Sequence, residues 1–165
     1  MPLEPEDLRI VIRAHGYVEL GMYQEAGEEL AGIDAGARGL PEALAVRMEI
    51  HRGLKQWVAM QAIAKNLAEQ DPGNAQWQIS WAYATRRAES IEAARSILIG
   101  AADRHPREAI IPYNLACYEC QSGNMDAARD HLKTAFKLEP KCRAMAMEDD
   151  DLKPLKDSLR AFAAD

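Results

Sequence analysis

The chain is poor in the residues that build sheets and in the patterns that build active sites. Valine, threonine and phenylalanine are few, whereas alanine, leucine, glutamate, arginine and methionine are plentiful, so an all-α fold is expected. Only three cysteines occur, Cys117, Cys120 and Cys142. An odd number with no disulfide framework suits a reducing compartment. No run approaches the ~18 uncharged apolar residues of a membrane span. The first ten residues, MPLEPEDLRI, have neither a basic head nor an apolar core, so no signal peptide is expected and a cytoplasmic location follows. Positive charge is also short: 20 Lys and Arg against 26 Asp and Glu give a net charge of −6. That balance argues against broad phosphate binding, so neither nucleic acid nor membrane is an expected partner.

Catalytic signatures are missing as well. His15, His51, His105 and His131 are scattered along the chain, with no His-Glu-x-x-His and no nucleophile at a defined spacing. There is no glycine-rich phosphate loop. The acidic run Glu148 to Asp151 lacks the alternating spacing and glycine of a calcium loop and reads as a helix cap. Cys117 and Cys120 form Cys-x-x-Cys, but a structural zinc needs four ligands and no second pair exists. A redox pair would open a helix beside a strand, whereas this one falls inside a helix. No catalytic residue, metal ligand or cofactor is therefore expected. A metal or redox role for the Cys117/Cys120 pair stays as the enzyme-class alternative.

What the chain does have is a period. Pro72, Pro106 and Pro140 stand 34 residues apart, and the helical pattern before each repeats in step, the mark of a solenoid. Before Pro140, one helix carries Leu115 and Ala116, Gly123-Asn124 makes a turn, and a second helix carries Ala128, Leu132 and Ala135 on one face. Sliding back by 34 gives Ala82, Ala94, Leu98, Ala101 and Pro106. The next step gives Met48, Trp57, Met60, Ala64, Leu67 and Pro72. The last gives Ala14, Tyr17, Gly21, Tyr23, Ala26, Leu30 and Ile33, with Arg38 where the closing proline would stand. Four units result, 7–40, 41–74, 75–108 and 109–142, within one domain over 1–165. Beyond them, a segment over 143–165 carries Leu152, Leu155, Leu159 and Phe162 at one-face spacing and reads as a cap on the open end.

These residues make the chain resemble the tetratricopeptide repeat proteins, whose unit is a helix–turn–helix with small residues at the crossing and a closing proline. The fit is best in the fourth unit. Met48 and Met60 stand in the second unit where Gly or Ala is usual, and a wider crossing is expected there. Arg13 and Arg47 replace an expected leucine. The motif DDLKPL after YNLACYE resembles the C-terminal closing segment of bacterial members, and supports a complete boundary there. The fold class implied is all-α, an α-solenoid of four helix–turn–helix units plus a capping helix region.

The resemblance implies a concave groove lined by the first helix of each pair. Carried over, it selects Glu49, Arg52, Gln76, Ile79, Tyr83, Arg86, Arg87, Tyr113 and Asn114 as peptide-binding residues, with His15, Cys117 and Cys120 nearby. Aromatic anchors beside fork-shaped cations suit an acidic segment. The clamp that some members use on chaperone tails is not reproduced: Val11, His15, Val46, Gln76 and Ser80 occupy its slots. The expected function is a non-enzymatic module holding a peptide or helix of a protein partner. A self-associating subunit is the second reading, with the first helix pair as its contact.

Overall fold

The computed structural model describes residues 2–161 and contains helices and turns, with no strand among those residues. In chain order the helices are α1 (Pro5–Glu19), α2 (Tyr23–Ala31), α3 (Pro41–Gly53), α4 (Trp57–Gln70), α5 (Ala75–Ala88), α6 (Ile91–Ala102), α7 (Ile110–Gln121), α8 (Met125–Leu138) and α9 (Cys142–Glu148). A 3-10 segment over Asp150–Leu155 and α10 (Lys156–Ala161) follow. Pro5 and Pro41 open α1 and α3, where a missing N–H costs nothing and the fixed φ favours the first turn. Pro72 and Pro140 fall two residues past the ends of α4 and α8, where proline cannot continue a helix.

Three of the four turns inside helix pairs share one geometry. Gly21, Lys55 and Gly123, one period or two apart, have φ of 72°, 56° and 84°. Each turn closes with the same long bond: the amides of Met22, Gln56 and Asn124 donate to the carbonyls of Tyr17, His51 and Glu119 at 2.9, 2.8 and 2.8 Å. This six-residue closure is how helices end on a left-handed residue, which satisfies carbonyls that would otherwise have no partner. The third turn departs from it. Glu89 stands in the glycine slot without a positive φ, and Ser90, extended at φ −157°, caps α6 by accepting the Ala93 amide at 3.1 Å. Serine is among the best caps because its short hydroxyl reaches the first-turn amides.

The chain divides into two compact units at this point, Met1–Ala88 and Glu89–Asp165. In the first, two apolar clusters hold the helices. Ile10, Val11, Ala14, Ala26, Leu30, Ile33 and Val46 join α1, α2 and α3. Leu44, Met48, Met60, Ala64, Leu67 and Ala84 join α3, α4 and α5, with Trp77 and Trp81 packed against them. Met48 and Met60 are both buried at positions where the period elsewhere places alanine. Asp7 of α1, also buried, accepts the Asp34 amide at 2.9 Å and so ties α1 to the turn after α2.

In the second unit Leu98, Ile111, Leu115, Leu132 and Phe136 are buried, as are the cap residues Cys142, Ala146, Leu152, Leu155 and Leu159. The cap thus covers apolar surface that α7 and α8 would otherwise leave in water. Phe162, expected to continue its apolar face, lies outside the described residues.

Candidate functional site

Five side chains converge in the first unit. Glu49 and Arg52 are one turn apart on α3 and form an ion pair at 3.2 Å. The left-handed turn at Lys55 then delivers Trp57 as the first residue of α4. Tyr83 and Arg87 are four residues apart on α5 and so share a face. Trp57 and Tyr83 meet edge to face, with ring centroids 5.9 Å apart and planes at 72°, the geometry that ring quadrupoles favour. The Arg52 guanidinium carbon lies 4.7 Å from the Tyr83 centroid and that of Arg87 lies 3.6 Å from it. Arg87 is also 5.2 Å from the Trp57 centroid. Both cations are thus held by the electron-rich faces of rings.

Arg87 differs from Arg52 in one respect. Arg52 is neutralised by Glu49, whereas exposed Arg87 donates Nη1–H to the Tyr83 carbonyl at 3.0 Å and has no carboxylate partner among the described residues. Its planar head is therefore pre-positioned with donors to spare, which suits a carboxylate ligand.

The other sequence-selected residues are placed differently. Gln76 is exposed and bonded to Ser80 at 3.4 Å. Ile79 is buried and Arg86 half-buried. Trp57 stood in the periodic pattern as a packing residue, and its partnership with Tyr83 had no sequence signal beyond being aromatic at a helix start.

In the second unit Tyr113 needs correcting. It is buried, and its hydroxyl donates to Asp149 Oδ2 at 2.8 Å, so it ties α7 to the cap rather than presenting a ring to a groove. Burial first, then the bond to Asp149, pushes its phenol far above the ordinary range, and it stays a donor. Asn114 beside it is half-buried.

Cys117, Cys120 and Cys142 form no disulfide and are all buried. Ligand atoms of Cys117, Asp149 and Asp151 lie within 4.8 Å of one another. Asp149, however, is occupied: besides Tyr113, its Oδ1 accepts the Asp151 amide at 2.9 Å as the cap of the 3-10 segment. Burial, then the charges of Asp151 and Asp149, push the Cys120 thiol up. A raised thiol pKa is the opposite of what a thiolate nucleophile or metal ligand needs. His131, on α8, is held below its ordinary value by burial and then by Arg95, against the opposing pull of Glu119 and Asp130.

Paired helices closed by a left-handed turn at a fixed period, and sealed by a helical cap, define an all-α solenoid fold of tetratricopeptide-like type. Solved structures agree. The chain is similar to MamA 41-end from Desulfovibrio magneticus RS-1, with TM-score 0.73 at 16% identity over 82% of this chain and 76% of that one. A MamA RS-1 ArsTM double mutant gives TM-score 0.72 with the same identity and coverage. MamA MSR-1 C2 gives 0.66 at 20% identity over 78% and 74% of the two chains. At such identities the likeness concerns the fold. No protein-family model matches the sequence, and no curated protein does. No helix among the described residues is long and apolar enough to cross a membrane.

Proposed function

We propose that the protein is a non-enzymatic interaction module that holds an acidic segment of a protein partner at the Arg52–Tyr83–Arg87 cluster. The observation that carries this reading is the Arg87 guanidinium, stacked on Tyr83 and with no carboxylate partner among the described residues. A partner carboxylate approaching Arg87 gains a paired, fork-shaped contact, while an apolar side chain of the same segment packs against Trp57 and Tyr83. Glu49 sets the limit of the site by neutralising Arg52 and repelling acid on that side. The raised pKa of the Cys120 thiol and a carboxylate already engaged in capping weigh against the cysteine alternative.

The test is capture of partners from lysate of the source cell by wild type and by the Tyr83→Ala/Arg87→Ala double variant. Loss of the captured partners with unchanged helical content is expected, and salt should weaken wild-type capture. Retention of every partner at wild-type strength removes the cluster from consideration.

A second reading has its own support. Ile12 on α1 is 61% exposed and Leu8, one turn earlier, 44%. Val46, one period after Ile12, is buried among residues of α1 and α2. The face of α1 that another helix pair would cover is open, which supports self-association through α1. A concentration-dependent mass in light scattering that disappears in Ile12→Lys is the expected sign of it.

A further inference from the structure

The period itself exposes a second site, independent of the groove reading. Arg13 of α1 pairs with Glu29 of α2, its Nη2 and Nε lying 2.6 and 2.7 Å from one carboxylate oxygen. One period later the arginine recurs as Arg47, but the glutamate slot holds Ile63. Arg47 is half-buried and has no ion-pair partner among the described residues. Arg38 is the second anomaly, the residue that replaces the closing proline. Its Nε reaches just one acceptor among the described residues, the Ile33 carbonyl, at a long 3.4 Å.

These two anomalies meet. Arg38 and Arg47 line the same cleft between α2 and α3, with a volume of about 420 Å³. His51 lines it too, its ring oriented by Gln56, whose Oε1 lies 2.6 Å from Nδ1. Leu30 and Ile50 supply an apolar wall, and Gly27 adds open space. Among the described residues no carboxylate lines the cleft, in a chain of net charge −6.

The second unit supplies a comparison. Its cleft, about 240 Å³, has Pro106 and Leu115 in the slots of Arg38 and Arg47, and Glu108 in its lining. That cleft thus has no arginine in either slot and carries a carboxylate. Two guanidiniums facing one cavity without a counter-charge repel each other, a cost that a bound anion removes.

We propose that the Arg38–Arg47–His51 cleft binds a small organic oxyanion, its carboxylate or phosphate head held by the two arginines and its apolar body laid against Leu30 and Ile50. Carboxylate and phosphate share the planar or tripod oxygen array that a guanidinium fork recognises.

Isothermal titration of the full chain with phenyl phosphate and with benzoate, in sodium chloride at constant ionic strength, tests this. Saturable one-to-one binding of at least one probe is expected, and whichever binds tighter identifies the head group. Arg47→Gln and Arg38→Gln should each weaken that probe at least tenfold with the helical spectrum retained. Arg38→Gln lies in an exposed turn, so the result does not depend on core tolerance. Arg87→Ala should leave binding unchanged, which separates this site from the aromatic cluster. Absence of saturable binding by either probe overturns the proposal. So does binding that survives both arginine substitutions, or that is lost in Arg87→Ala instead.

Discussion

The hydroxyl of Tyr113 donates to the Asp149 carboxylate at 2.8 Å across 36 residues of chain, and Asp149 in turn caps the 3-10 segment of the C-terminal cap. One part-buried bond therefore links α7 to the residue that caps this segment. Tyr113→Phe keeps the ring and removes the donor. Bonds to charged groups contribute roughly 1.5–3 kcal/mol, so a loss of about that size is expected in urea unfolding. An unchanged midpoint would show that the cap is held by its leucines alone.

Acid should weaken the second unit in two stages. Glu119 is buried, which by itself raises a carboxyl pKa. Hydrogen bonds from Arg95 and Asn124 outweigh burial and hold it below its ordinary 4.5. A group depressed in the fold contributes stability above its unfolded pKa and loses it as pH falls through the folded value. His131 is depressed from its ordinary 6.5, so the unfolded chain takes up that proton first and stability declines as pH drops below 6.5. Unfolding midpoints followed from about pH 7 to pH 3 should show both declines. In Glu119→Gln the lower one should vanish and the upper one persist.

Two glycines should respond oppositely to alanine. A methyl at Gly53 overlaps the ring of Tyr23, which packs against α3, whereas one at Gly100, exposed on α6, meets nothing within 4 Å. Alanine favours a helix interior over glycine by about 1 kcal/mol, while overpacking costs about 1–3 kcal/mol. Gly100→Ala should raise the melting temperature, and Gly53→Ala should lower it despite the better propensity.

The shared turn carries its own test. Lys55 adopts φ 56° where the matching residues are Gly21 and Gly123. A side chain in that conformation costs roughly 1–2 kcal/mol. Lys55→Gly should recover part of this as added stability, and Gly123→Ala should lose a similar amount, both read from denaturant unfolding. Equal and opposite shifts of zero would mean the turns are not under that constraint.

The 34-residue spacing of Pro72, Pro106 and Pro140, with Ala14, Ala26, Ala82, Ala94, Ala116 and Ala128 in register, determined the helix pairs and their apolar faces. These are local properties: proline is accepted in the first turn of a helix but cannot continue one beyond it, and a face repeats with the helical period. The turns were partly legible for the same reason, since Gly21 and Gly123 announce a left-handed residue, although Lys55 adopts it and Glu89 does not. The partnerships of polar side chains were decided only by tertiary structure. Tyr83 and Tyr113 read alike as aromatic groove residues, yet one meets Trp57 and two guanidiniums while the other is buried on Asp149. Arg13 and Arg47 share a slot, and the difference between a neutralised cation and one facing an open cleft lies in whether Glu29 or Ile63 comes near on the next helix. Hydrophobic pattern is written along one helix, but a charge takes its meaning from what another segment brings within hydrogen-bond distance of it.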